Sequence, residues 1–116
     1  MSEYVTIKEN REFTRAYKRG KSFVSPALVT YVYKNRSNNL RYGITTGKKI
    51  GNAVKRTRAR RVIRAAYYQL YSEIMPGYDI VFVARGKTPF VKSQNVYAAM
   101  KQHMKSAGIL QSRQDK

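Results

Sequence analysis

Residues 53–74, AVKRTRARRVIRAAYYQLYSEI, constrain the fold of this chain more than any other stretch. With successive side chains about 100° apart on a helix, Ala59, Val62, Ile63, Ala66, Leu70 and Ile74 fall in one arc. That arc is a core-facing stripe, so the spacing predicts a long helix from Asn52 or Ala53 to about Ile74, closed by Pro76-Gly77. Beside the stripe, Arg56, Arg60 and Arg64 form an i, i+4 row, Thr57 and Arg61 continue the same face, and Arg58 extends it. A solvated helix face ordinarily mixes charge signs and gains from opposite charges four residues apart. Between Lys55 and Arg64, six of ten side chains are basic and none is acidic. Arginine is preferred to lysine there, which suits bidentate contacts to phosphate. The face is a binding surface for something negative.

The whole chain carries the same imbalance. Its 24 lysines and arginines face six acids, Glu3, Glu9, Glu12, Glu73, Asp79 and Asp115, for a net charge of +18. None of the six falls between Phe13 and Ser72, a stretch of sixty residues with fifteen basic ones. Self-repulsion at this level opposes compaction and exceeds what solubility requires. A membrane-surface peptide would concentrate its charge opposite a large apolar face. Here the charge is spread over 116 residues of which 42% are hydrophobic, enough for the core of a single domain. A nucleic acid is the partner that fits. The lack of cysteine excludes disulfides, thiolate metal sites and a thiol nucleophile. No apolar run approaches the ~18 residues of a membrane span. MSEYVTIKEN has no secretory apolar stretch, so a cytoplasmic location is expected.

The remaining pattern is α+β, without repeats or a low-complexity linker. Asn10 is placed to cap a short helix on which Phe13, Ala16 and Tyr17 share a face, with Gly20 at its end. SFVSPALVTYVY, residues 22–33, reads as one strand that Ser25-Pro26 interrupts by an edge position or a bulge. Along it Val29, Tyr31 and Tyr33 point one way, and Leu28, Thr30 and Val32 the other. After the turn KNRSNN, LRYGITT reads as a second strand antiparallel to the first. Gly47 and Gly51 permit a tight connection into the long helix. YDIVFVA, residues 78–84, is a strand apolar enough to be buried on both faces. Ser93 is placed to cap a last helix with Val96, Met100, His103 and Ala107 at helical spacing and Gly108 at its end. Residues 111–116 read as a frayed tail.

Chemistry of the chain's own is hard to assemble. A general-base nuclease needs a histidine or carboxylate at the scissile phosphate, and metal-assisted cleavage needs clustered carboxylates. His103, the one histidine, lies at the apolar edge of its helix, where a structural or surface role outweighs catalysis. The acids lie towards the chain's ends, and GKKIG is not a phosphate loop of the G-x-x-x-x-G-K-[ST] kind. Phe13, Tyr17, Tyr31 and Tyr33 are candidates for a groove wall on which unpaired bases stack; ordinary core packing is the equal alternative for any one ring. Tyr67, Tyr68 and Tyr71 read as packing or surface rings of the long helix.

GKKIGNAVKRTRARRVIRAAY resembles the signature of the bacterial ribonuclease P protein subunit, in which a Lys-Lys-x-Gly-Asn-Ala-Val run leads into an Arg-rich helix. The resemblance covers nearly the whole chain: Phe13 and Tyr17 precede a glycine and a serine-led strand, RYGITTGKK precedes the signature, and DIVFVAR follows it. Where the family usually reads Arg-Asn-Arg, this chain has Arg56-Thr57-Arg58, and Ala59 replaces a bulkier aliphatic residue. The resemblance implies an α/β sandwich like the second domain of ribosomal protein S5: three helices on a small mixed four-stranded sheet with a left-handed β-α-β crossover. It implies a protein that pairs with a large catalytic RNA, needs no protein partner, and helps remove the 5′ leader from precursor tRNA. Mg²⁺ would be held mainly by the RNA subunit and the substrate, with no catalytic residue and no metal site in the protein. Carried over by position, Lys48, Lys49, Lys55, Arg56, Thr57, Arg58, Arg60, Arg61 and Arg64 would contact RNA. Phe13, Tyr17, Ser22 and Tyr31 would hold the single-stranded leader. The rivals are a structural RNA-binding protein such as a ribosomal one, and a self-sufficient nuclease. A helix-turn-helix DNA binder fits less well, because the Arg-rich helix follows strands.

Overall fold

The apolar run ending at Ala84 becomes the middle strand of the sheet. The structure, a computed structural model, describes residues 4–111. In chain order the elements are β1 (Val5–Thr6), α1 (Asn10–Arg19), β2 (Lys21–Ser25), β3 (Leu28–Lys34), β4 (Arg41–Thr45), α2 (Ala53–Leu70), β5 (Tyr78–Ala84) and α3 (Ser93–Ala107). Short 3₁₀ turns occupy Lys48–Ile50, Tyr71–Glu73 and Thr88–Phe90. The strand order is β1-β4-β5-β3-β2, parallel between β1 and β4 and between β4 and β5, antiparallel elsewhere. The sheet thus has five strands where four were expected, the added one being the two-residue β1.

Alternation along the strands sorts the sheet into two faces. Leu28, Thr30, Val32, Tyr42, Ile80 and Phe82 lie under α2 and α3, where they form the main core with Ala59, Ile63, Ala66, Tyr67, Leu70, Val96, Met100 and Met104. The predicted helical stripe is buried as expected, apart from Val62, which is half-buried. Tyr67 belongs to this core outright: it is fully buried and stacks on Tyr42 at 4.2 Å between ring centroids. On the opposite face α1 packs alone, with Ala16, Ile7 and Val81 at the centre of a smaller cluster. Phe13 lies directly on the sheet there. A Cβ at Gly43 would come within 2.6 Å of the Phe13 ring, so the glycine makes room for it.

Several sequence expectations are corrected. Residues 22–33 are not one interrupted strand but a hairpin: Ser25 pairs with Leu28 across Pro26-Ala27, and Ser25 Oγ donates to the Leu28 carbonyl at 3.0 Å. Proline serves here as a turn former rather than an edge marker. β3 and β4 run in opposite directions but are not neighbours, because β5 lies between them. α2 stops at Leu70; one 3₁₀ turn follows, and Ile74 is extended and bridges to Leu110. Asn10 and Ser93 are the first helical residues rather than the caps, and the cap positions Glu9 and Lys92 make no side-chain cap bond. Asn52 does cap α2, accepting from the Lys55 amide at 3.0 Å. Gly51 has φ +130 and needs its freedom, whereas Gly47 is extended and has open space around it. Of the predicted frayed tail, Gln111 is tied down by its amide to the Glu73 carbonyl at 2.6 Å, and 112–116 lie outside the described residues.

Candidate nucleic-acid interface

The first turns of α2 concentrate cations where the helix itself is already positive. Unsatisfied amides give a helix N-terminus about half a unit of positive charge, which favours anions and opposes lysine or arginine. α2 has no acid in its first turn, and Lys48 and Lys49 stand exposed on the 3₁₀ turn that leads into it. Lys55, Thr57, Arg58 and Arg61 point into solvent; Arg56, Arg60 and Arg64 are half-buried along the flank facing β4. Thr57, Arg58 and Arg61 share a hollow of about 520 Å³ with Ala53, Val54 and Val62. Among the described residues the ion pairs are Arg11–Glu9, Arg15–Asp79, Arg41–Glu12, Arg41–Asp79 and Lys101–Glu73, so none engages α2. Among the described residues no acid offsets the repulsion along this helix. A polyanion would.

The predicted leader residues gather on the opposite face of the sheet. Helical spacing places Phe13 and Tyr17 on one flank of α1. Tyr17 meets Tyr31 edge-on at 5.0 Å, and its hydroxyl lies 3.4 Å from Thr45 Oγ1. Ser22 pairs opposite Tyr31 and carries the same face to the sheet's edge strand. Val29, Val83 and Thr45 line up across it in register, and Val24 beside them is 65% exposed. The result is a shallow groove with an apolar floor and an aromatic wall. Phe13 serves it from beneath, as the half-buried wedge that sets the height of α1 over Gly43.

Two threonines join the groove to the arginines, and sequence reasoning missed both. Thr45 touches Tyr17 on one side, and its neighbour Thr46 accepts from Arg60 Nη1 at 2.6 Å on the other. Phe13, Tyr17, Ser22 and Tyr31 therefore form one surface, Arg56, Arg60 and Arg64 a second, and the end of β4 makes them continuous. Strand alternation could have flagged Thr45; the reach of Arg60 depends on how α2 docks. Tyr33, a groove candidate from sequence, lies on the other flank of α1, beneath Arg15 at 5.1 Å. Tyr4 and Tyr68 stack at 3.9 Å beside the C-terminal half of α2.

His103 lies inside the fold rather than on this surface. It is buried, its Nδ1 lies 2.7 Å from Thr30 Oγ1, and burial lowers its pKa from the usual histidine value. Among the described residues no three His, Asp or Glu side chains come together as a metal site. Among the described residues no helix is long and apolar enough to cross a membrane.

Known proteins resemble this chain over most of its length. The family model for ribonuclease P matches residues 1–108. The ribonuclease P protein component of Clostridium beijerinckii is 42% identical over 110 residues, covering 89% of this chain and 88% of that one. A structure of the Staphylococcus aureus RNase P protein superposes with a TM-score of 0.80 at 30% identity, over 93% of this chain and 99% of the other. A mutant of the S. aureus protein, described as having defective mRNA degradation activity, matches with a TM-score of 0.80 at 31% identity, over 90% and 89%.

Proposed function

Since the chain belongs to the ribonuclease P protein family, we propose that it binds the catalytic RNA of ribonuclease P and the 5′ leader of precursor tRNA, and assists removal of that leader. The observation that carries this reading is the continuity of an acid-free arginine flank with an aromatic groove across Thr45 and Thr46. RNA-backbone phosphates would meet Lys48, Lys49, Lys55, Arg56, Arg58, Arg60, Arg61 and Arg64, with the Thr57 hydroxyl among them. An unpaired strand would lie in the groove, its bases against Tyr17 and Tyr31, with Ser22 as a polar contact and Phe13 holding the wall in place. Stacking on such rings is worth about 1–3 kcal/mol per base and tolerates any sequence, which suits a leader that differs from one tRNA to the next.

The protein's part is then to position and to neutralise. Mg²⁺ would be held mainly by the RNA subunit and the substrate and would supply the hydrolytic chemistry there. The described protein residues offer no metal cluster of their own, so no step is assigned to an ion in the protein. Cations on a fixed scaffold replace mobile counterions between two RNAs, lowering the divalent ion concentration the complex requires. A cytoplasmic site of action fits this role.

Reconstitution with the catalytic RNA from the same genome tests the reading. Efficient leader removal is expected from protein and RNA together at low Mg²⁺, and slow removal from RNA alone at high Mg²⁺. The description of the S. aureus mutant makes RNA-free protein the informative control. Correct cleavage of precursor tRNA by that control alone would overturn the assignment of catalysis to RNA.

A further inference from the structure

The helix that walls the leader groove has a second flank, and it is built for polyanion as well. Glu12, Arg15 and Arg19 lie on the side of α1 away from Tyr17. Two hollows meet at Tyr33. One, of about 420 Å³, lies beside α1 and is lined by Arg15, Asn35, Arg36, Asn39 and Arg41; the other, of about 350 Å³, runs from Arg19 round the end of the sheet toward α3 and is lined by Lys21, Val32, Lys34, Tyr78 and Ala107.

The acids of this region are already spent on one another's partner. Arg41 gives Nε and Nη2 to Asp79 at 2.8 and 2.7 Å, and Nη1 to Glu12 at 3.0 Å. Asn35 adds a third bond to the fully buried Asp79, at 2.8 Å. Arg15 reaches Asp79 only at 3.8 Å, and its Nε has no hydrogen-bond partner among the described residues. Arg19, Lys21, Lys34 and Arg36 have no acidic partner among the described residues. A rigid Asp79–Arg41–Glu12 unit thus underlies a ring of uncompensated cations. Two half-buried tyrosines stand in the walls. Basic residues along a groove with aromatic rings between them are what a nucleic-acid strand requires.

We propose that this flank holds RNA backbone from a segment distinct from the one on α2, so that the protein joins two stretches of RNA across α1. The proposal rests on RNA being the partner, and its test separates the two. Because the chain has no cysteine, a single Lys34→Cys or Thr57→Cys substitution can carry a tethered iron–EDTA cleavage probe in the reconstituted holoenzyme. Strand scission from position 34 is expected at nucleotides that do not overlap those cut from position 57. In parallel, Arg19→Ala/Lys21→Ala/Lys34→Ala should lower the log–log salt slope of RNA binding by about 0.7–0.9 for each phosphate the variant no longer neutralises. Its melting temperature should be unchanged, since all three side chains are exposed. Scission from position 57 alone, with an unchanged slope in the triple variant, would overturn the second site. Identical cuts from both positions would overturn the joining of two segments. Silence from both would remove the RNA partnership itself.

Discussion

Gly43→Ala tests whether the groove's height is set by one ring. The new methyl would sit 2.6 Å from Phe13 Cε1 and Cζ and 3.4 Å from Ile7 Cβ. Carbon atoms prefer about 3.5–4.0 Å, so the ring must retreat by about 1 Å and carry α1 with it. Overpacking of this kind costs about 1–3 kcal/mol, and each kcal/mol lowers the melting temperature of a domain near 100 residues by about 4–8 °C. Phe13→Ala alone should cost less than the ~3–5 kcal/mol of a fully buried ring, because Phe13 is half-buried. In the double variant the added methyl enters the space the ring has left. The two changes should therefore be non-additive by about 1–3 kcal/mol in the stabilising direction, within the range found for touching residues. Urea unfolding of the four proteins measures the cycle. Gly43→Ala should also weaken precursor binding, since Tyr17 is one turn beyond Phe13, while affinity for the catalytic RNA is retained. Strict additivity would refute the reasoning, because it would mean that glycine and ring do not compete for the same space.

Tyr17→Ala and Tyr31→Ala should each weaken holoenzyme binding of precursor tRNA by about 1–3 kcal/mol for each base that no longer stacks, and leave mature tRNA binding unchanged in the same titration. Arg60→Ala with Arg64→Ala should lower RNA affinity and reduce the salt slope by about 0.7–0.9 for each phosphate left without its cation, read by titration at several salt concentrations. His103 takes a lowered pKa from burial, so the unfolded chain binds its proton more readily; stability is full above pH ~6.5 and falls as pH drops below it. A His103→Gln variant should flatten that part of a chemical-denaturation pH profile and leave the holoenzyme's rate at neutral pH unchanged. Tyr67 buries a hydroxyl that has no hydrogen-bond partner among the described residues, and such a group costs about 1–3 kcal/mol. Tyr67→Phe is therefore expected to raise the melting temperature.

The features legible in the sequence were those that local spacing encodes. The buried stripe of α2 follows from a 3.6-residue period, the two faces of β3 from a period of two, and the double burial of β5 from an unbroken apolar run. The acid-free helix face is a matter of composition and needs no fold to be read. The long Lys-Lys-x-Gly-Asn-Ala-Val signature tied these to a family, and comparison bears that out.

What the tertiary structure alone decided is everything that depends on pairing between distant residues. Ser25-Pro26 is equally compatible with a bulge, an edge and a turn; the hairpin sets half-buried Phe23 of β2 against the core that β3 buries under α3. The insertion of β5 between β3 and β4 places Gly43 beside Val81 and thereby under Phe13. The same insertion brings Arg41 to Asp79, an acid that read from sequence as merely one of a scattered few. Tyr33 left the leader groove because α1 crosses the sheet between it and Tyr31, two residues apart on one face. Thr46 joined the arginines to the groove only once α2 had docked. Spacing along the chain determines which face a side chain takes; which partner it meets there is set by the packing of the whole core, a sum over interactions that no single segment contains.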